Sequence, residues 1–319
     1  MINSRFLEAY KIIKDSHNVI LVTHNRPDGD ALASVCAFME WLNILGKNYF
    51  AYCLDAPAWQ YHFLPRLDEI NYDKSRLDFS QYDLIIAVDC GSLKRTNLSE
   101  EINARRPEQT VIEFDHHPKA ESFSDLEVRL PDASSTAEVI YYFLKFNKVR
   151  LNKNLANCLL TGILTDTENF LFPTTDKTIK ISSELLSYGP SFLKIIQGAY
   201  RNKSLDSIKL WGLAMSNLKI NRRYQIAYSV ITKNDFNLSE MGEEAEGISN
   251  FLSNLEGVNA VLFLREESGG KLRGSLRTSK NNINLSRLAQ FLGGGGHAKA
   301  SGFTIEGGIE TIADGWKII

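Results

Sequence analysis

Val19-Ile20-Leu21-Val22-Thr23-His24-Asn25-Arg26-Pro27-Asp28-Gly29-Asp30 is the stretch from which the fold can be read. Four aliphatic residues in succession predict a short strand buried on both faces, as in the interior of a parallel sheet. A Pro-Asp-Gly-Asp turn follows. Ala31 to Leu45 then sets Leu32, Val35, Cys36, Met39 and Leu42 on one helical stripe. Strand, polar loop and helix in that order open a β-α-β unit. Apolar runs return at Tyr49–Leu54, Leu84–Val88 and Val111–Phe114, so the first half reads as an α/β domain with a mostly parallel sheet. Leu155–Leu164 is apolar too, but its length and its Asn157 and Cys158 suit a buried helix.

The pattern changes at Tyr188-Gly189-Pro190, a helix stop followed by a breaker. Ser204–Leu218 reads as a connecting helix with Ser204 as its cap and Asp206 in its first turn. Arg223–Ile231 and Val258–Arg265 read as strands, and Ser268-Gly269-Gly270 turns the chain into Lys271–Arg277 as a hairpin. Asn284–Leu292 is a short helix ended by four glycines. The expected organisation is a metal-binding domain at 1–190, a linker and connecting helix at 191–212, and a smaller α/β domain at 213–319.

Composition narrows the function classes. The chain has 319 residues and a formal net charge of −2, from 36 Lys/Arg and 38 Asp/Glu. A protein that holds long nucleic acid through its phosphates carries a clear basic excess, so a long-polymer partner is disfavoured. Residues 1–200 hold 21 basic and 26 acidic residues; residues 201–319 hold 15 and 12. Cys36, Cys53, Cys90 and Cys158 are widely spaced among apolar neighbours, which predicts buried, reduced thiols and excludes a zinc ribbon. No apolar stretch approaches the ~20 residues that cross a bilayer, and Glu8 and Asp15 interrupt any signal-peptide core. A cytoplasmic location is expected.

The candidate chemistry lies where strands end. His24, Asp28 and Asp30 follow the first strand; Asp89 follows Leu84–Val88; Asp115-His116-His117 closes Val111–Phe114; Asp166 ends the apolar helix. In parallel sheets, ligands sit beyond the carboxyl ends of the strands. Gly29 is expected to let the turn aim Asp28 and Asp30 at neighbouring points; the competing reading of the loop is a Pro-Asp-Gly turn with Asp30 as a helix cap. His24, Asp28, Asp30, Asp89, His116 and Asp166 supply four carboxylates and two imidazoles, too many for one tetrahedral zinc. They suit two divalent ions about 3.5–4 Å apart sharing a carboxylate. The oxygen–nitrogen donor set favours manganese, with magnesium or cobalt as substitutes.

His24-x-x-x-Asp28-Gly29-Asp30, Asp89, Asp115-His116-His117 and Asp166 resemble the four ordered motifs of the DHH phosphoesterases over roughly residues 17–170. Gly293-Gly294-Gly295-Gly296-His297 and Gly274-Ser275-Leu276-Arg277 resemble the glycine-rich loop and basic strand of the DHH-associated substrate domain. The resemblance implies His24, Asp28 and Asp89 at the first metal and Asp30, Asp89, His116 and Asp166 at the second, with Asp89 as bridge. It casts His117 as a phosphate contact or leaving-group proton donor, with Asp115 orienting a histidine or pairing with the backbone. Arg95, Arg277, Gly294, Gly295, Gly296 and His297 are the implied substrate contacts. Ser134-Ser135-Thr136-Ala137-Glu138 reads as a helix cap, and Trp41, Trp59, Trp211 and Trp316 as packing residues.

The resemblance points to the nanoRNase (oligoribonuclease) and pAp phosphatase branch: a manganese-dependent phosphoesterase acting on short oligonucleotides or on the 3′-phosphate of pAp. It implies no membrane partner and leaves room for a homodimer. The alternatives are a cyclic-dinucleotide or linear-dinucleotide phosphodiesterase and a non-catalytic nucleotide-binding regulator.

Overall fold

The computed structural model describes residues 2–319 apart from 120, 172–173, 201–202, 236–244, 246 and 313–314. Helix α1 (Ile2–Asp15) precedes the strand read from the opening stretch, β1 (Asn18–Val22). There follow α2 (Gly29–Ile44), β2 (Asn48–Tyr52), β3 (Ile70–Asn71), β4 (Leu84–Val88), α3 (Ser99–Asn103), β5 (Thr110–Asp115) and β6 (Leu126–Arg129). Helices α4 (Thr136–Phe146), α5 (Lys153–Asp166), α6 (Asp176–Ser187) and α7 (Phe192–Tyr200) complete the first half.

The six strands form an all-parallel sheet in the order β3-β2-β1-β4-β5-β6. The winding reverses between β1 and β4, the topological switch point at which open α/β sheets bind ligands. All five residues of β4 and the last four of β1 are buried, which is why these segments are continuous aliphatic runs rather than alternating ones. The single stripe expected on α2 is too narrow a reading, since every residue from Gly29 to Leu42 is buried. The helix lies between the sheet and α4 and α5, and an apolar surface all round is what that position requires. Phe38 stands 4.8 Å from Phe114, and Phe143 5.0 Å from Phe114 and 5.4 Å from Trp41, measured between ring centres. All four cysteines are buried free thiols.

Met1–Asn202 and Lys203–Ile319 form two compact units. The second comprises α8 (Leu205–Ser216), β7 (Lys219–Asn221), β8 (Ile226–Ile231), α9 (Ile248–Leu252), β9 (Ala260–Glu267), β10 (Lys271–Arg277) and α10 (Leu285–Phe291). It ends with β11 (Gly295–Gly296), β12 (Ala300–Glu306), β13 (Ile309–Ile312) and β14 (Gly315–Ile318). Its main sheet runs β11-β12-β10-β9-β8-β7, with β8 and β9 parallel and the other described pairs antiparallel. Ser204 caps α8 as expected, accepting from the N–H of Ser207. The strand expected from Arg223 begins only at Ile226, because the Asn221 side chain accepts from the N–H groups of Arg223 and Tyr224 and closes a turn there. Trp59 departs from its expected packing role: it is 63% exposed at the start of a single 3₁₀ turn, whereas Trp41 is fully buried. No helix among the described residues is long and apolar enough to cross a membrane.

Candidate metal centre

The loops leaving β1, β4 and β5 and the ends of α2 and α5 bring His24, Asp28, Asp30, Asp89, His116 and Asp166 together beyond the carboxyl edge of the parallel sheet. Thr23 Oγ1 donates to the Val88 carbonyl at 2.8 Å and ties the first two loops at the switch point. His24 is buried, and its Nδ1 lies 2.7 Å from the Asn25 carbonyl. A carbonyl only accepts, so Nδ1 carries the proton and Nε2 is left as a bare lone pair. That Nε2 is buried without a hydrogen-bond partner and faces Asp28 Oδ2 at 3.8 Å and Asp89 Oδ2 at 3.9 Å. An orphaned imidazole lone pair between two carboxylates is the arrangement a divalent cation completes.

A second set stands beside it. Atoms of Asp30, His116 and Asp166 lie within 4.8 Å of one another, as do those of His24, Asp28 and Asp89. His116 Nδ1 is 3.4 Å from the Ala133 carbonyl, and its Nε2 lies 3.4 Å from Asp166 Oδ2 and 3.8 Å from Asp89 Oδ1. The two oxygens of Asp89 thus face different sets, Oδ2 toward His24 and Oδ1 toward His116.

Three local devices hold these side chains. Asp28, rather than Asp30, caps α2, with its Oδ1 accepting from the N–H groups of Asp30 and Ala31 at 3.1 Å. Gly29 is needed for close packing rather than for turning, since a Cβ there would lie 2.6 Å from the Thr165 side chain. The third device is the segment expected to be only a cap. Ser135 does cap α4, accepting from the N–H of Glu138 at 3.1 Å. The next residue reaches into the cluster: Thr136 Oγ1 donates to Asp89 Oδ1 at 2.7 Å, and the N–H groups of Thr136 and Ala137 donate to Asp30 at 2.6 and 3.0 Å. The positive end of α4 therefore holds the Asp30 carboxylate. Sequence reasoning missed Thr136; the available signal was three successive hydroxyl residues where a cap needs one.

Crowded, buried carboxylates resist ionisation in the absence of a cation. Burial, reinforced by Asp30 and Asp28, drives the Asp89 carboxyl well above its ordinary range. Burial also lifts Asp166 to about 8, against the pull of His116, and Asp30 to about 6. His24 is held below its usual value, chiefly by burial, with Arg95 acting in the same direction and Asp28 opposing.

Beside the cluster, Asp115 Oδ1 accepts from His117 Nδ1 and from the His117 N–H, both at 2.8 Å, and Oδ2 accepts from the Gly91 N–H at 2.6 Å. Burial would raise Asp115, yet these bonds and the Arg129 charge hold it well below the carboxylate range. Asp115 thus hydrogen-bonds His117, and its charge also bears on His116. Arg95 Nη1 donates to the Cys90 carbonyl at 3.3 Å. A Cβ on Gly91, whose φ is +66°, would meet Arg95 Nη1 at 3.0 Å and the His117 ring at 3.5 Å, so Arg95 and His117 flank that glycine.

In the second unit, Arg277 stands opposite Ala300 in the β10–β12 ladder, at the same sheet end as the glycine tract. Its Nε donates to Asn250 Oδ1 and its Nη1 to the Leu276 carbonyl. The His297 N–H donates to the Ala300 carbonyl at 2.8 Å and closes a tight turn. Of the implied glycine contacts, Gly294 has its N–H already engaged: it donates to the Ala289 carbonyl at 2.7 Å, as Gly293 donates to that of Gln290 at 3.0 Å. Gly294 is required for another reason, because a Cβ there would lie 2.1 Å from the Gly302 carbonyl oxygen.

Comparison with known proteins accords with this geometry. Residues 18–163 match the DHH family N-terminal domain, and residues 223–314 match the DHHA1 domain. The chain is 32% identical over 308 residues to the bifunctional oligoribonuclease and PAP phosphatase NrnA of Bacillus subtilis (strain 168), covering 93% of this chain and 92% of that one. It is 28% identical to the protein of the same name from Thermus thermophilus, covering 91% and 84%. An exopolyphosphatase-related protein from Bacteroides fragilis has the same fold, with a TM-score of 0.83 and 28% identity over 94% of this chain and 90% of that one. With both domain matches in order along one chain and a relative this similar over nearly its whole length, the protein belongs to the DHH family.

Proposed function

We propose that the protein is a two-metal phosphoesterase that hydrolyses short oligonucleotides of about two to five residues and removes the 3′-phosphate of pAp, with manganese as its ion. The observation that carries this reading is the pair of ligand sets facing the two oxygens of Asp89. The likeness to relatives named as oligoribonuclease and PAP phosphatase supports the substrate class. His24 and Asp28 would hold the first ion, Asp30, His116 and Asp166 the second, and Asp89 both. The ions would supply Lewis acidity at phosphorus and a water of lowered pKa.

The remaining steps fall to the protein's own groups. Arg95, beside Gly91 and the metal cluster, draws a substrate phosphate toward the ligands. His117, whose Nδ1 is engaged by Asp115, donates a proton from Nε2 to the departing oxygen. In the unit that follows Asn202, Arg277 offers a planar fork to a terminal phosphate, with Gly295, Gly296 and His297 beside it.

The test ranks initial rates in manganese on end-labelled oligonucleotides of increasing length, on pAp and on a cyclic dinucleotide. Short fragments and pAp are expected to lead. Fastest cleavage of the cyclic dinucleotide would replace the substrate assignment, and tight nucleotide binding without hydrolysis would make the protein a regulator. Asp89→Ala should abolish turnover and manganese loading with the circular dichroism spectrum unchanged; near-normal turnover in that variant would sink the two-metal reading.

A further inference from the structure

Arg129 ends β6 and lies directly beside Asp115 in the parallel β5–β6 register. Its side chain is only 5% exposed, an unusual place for a guanidinium, and four acceptors surround it. Nη2 donates to Glu113 Oε1, and Nε to Glu127 Oε1 at 2.8 Å. Nη1 points the other way: it donates to the His117 carbonyl at 2.5 Å and lies 3.6 Å from Asp115 Oδ2. A charge partner for Glu113 alone would not need that third nitrogen. Nη1 grips both ends of the segment that leaves β5, the Asp115 carboxylate and the His117 main chain. Asp115 Oδ1 in turn accepts from His117 Nδ1. The fork, anchored by two glutamates, therefore sets the carboxylate that sets the imidazole.

We propose that Arg129 is a positioning residue that acts through Asp115 and the His117 carbonyl to fix the His117 ring for proton transfer. The proposal rests on the phosphoesterase reading for its kinetic consequence but not for its structural one. Lysine cannot substitute, because an ammonium keeps the charge without the planar fork that reaches Glu113 and His117 together.

Two readouts test it. The first, made without substrate, follows the downfield Nδ1–H resonance of His117 in ¹⁵N-histidine-labelled protein, assigned by its loss in His117→Asn. The second separates kcat, KM and manganese affinity. Arg129→Lys is compared with the double variant Glu113→Gln/Arg129→Met, which removes Arg129 together with its buried partner Glu113, while Glu127 keeps Lys119 and Asp115 keeps its bonds to Gly91 and His117. Both should shift or broaden the resonance and lower kcat about 10- to 100-fold, the range for partners of active-site groups, with KM and manganese affinity within about threefold of wild type. An unmoved resonance in either folded variant overturns the proposal, as does a kcat loss matched by an equal loss of manganese affinity. A wild-type protein inactive on every substrate would refute the phosphoesterase reading instead, and the resonance would still decide the role of Arg129.

Discussion

Asp89 adopts φ +58°, a left-handed conformation that costs a residue with a Cβ on the order of 1 kcal/mol. Its N–H, bonded to the Phe114 carbonyl at 2.9 Å, and its carboxylate, bonded to Thr136 Oγ1, hold it there. Of these supports the Thr136 hydroxyl is the one a substitution can remove cleanly. Thr136→Val keeps the N–H that serves Asp30 and deletes only the bond to Asp89. Manganese affinity should fall at least about tenfold in titration calorimetry, while Thr136→Ser stays within about threefold of wild type. Equal affinities in all three proteins would mean that Asp89 needs no such orientation. The candidate ligands were legible in the sequence because His24, Asp89 and the Asp115–His117 triplet interrupt aliphatic strands at their ends. Thr136 was not, because its role depends on the approach of α4 to two loops more than 40 residues away in sequence.

Among the elements, α2, α4 and α5 determine how closely the ligands converge. Gly162 in α5 has no room for a side chain: a Cβ would stand 2.5 Å from Asp30 Oδ1 and 2.5 Å from the Ala137 Cβ. Gly162→Ala gains about 1 kcal/mol in helix propensity but drives a methyl into the Ala137 methyl and into a carboxylate already held by hydrogen bonds. Overpacking of about 1–3 kcal/mol should win, so the melting temperature is expected to fall and manganese binding to weaken. A more stable variant would show that the helices can separate. At the far end of α2, Glu40 accepts from Asn152 at 2.9 Å, Asn154 at 3.3 Å and Arg66 Nε at 3.0 Å. Burial opposes ionisation there, yet these bonds hold the Glu40 carboxyl below its ordinary value. A depressed folded-state pKa contributes stability above the unfolded value of about 4.3–4.5 and loses it as pH falls through the folded one. Urea titrations should show Glu40→Gln less stable by about 1–3 kcal/mol at pH 7, with the gap closing below about pH 4. A constant gap down to pH 3 would refute the assignment. Helices α2, α5 and α8 were legible from periodicity, length or a cap, but β3 and β6 were not, since Ile70–Asn71 and Leu126–Arg129 are too short to display a pattern before a neighbouring strand pairs with them.

For the molecule as a whole, the alternation of strands and helices made the α/β class readable, whereas the strand order was not, because β1 pairs with β4 across more than 60 residues that carry no local mark of it. Charge is the property that only the whole chain displays. The formal −2 includes Asp28, Asp30, Asp89 and Asp166, so two divalent ions at the proposed ligands would bring the loaded protein to about +2. The basic residues of the second half are concentrated: Arg265 to Lys299 holds seven against Glu266 and Glu267. A strand gripped along its length would need many such contacts, and each phosphate neutralised on a single strand contributes about −0.7 to the slope of log affinity against log salt. Contact with two or three phosphates gives a slope of about −1 to −2; a groove holding ten gives about −7. Log kcat/KM for a trinucleotide, measured between 50 and 400 mM potassium chloride in saturating manganese, should therefore fall with a slope no steeper than about −2. The slope should hardly change when the substrate is lengthened to twelve residues, because Arg95 and Arg277 are the two cations proposed to meet phosphates. A slope that steepens in proportion to length would mean that the chain tracks a long strand, and the assignment to short fragments would fall with it.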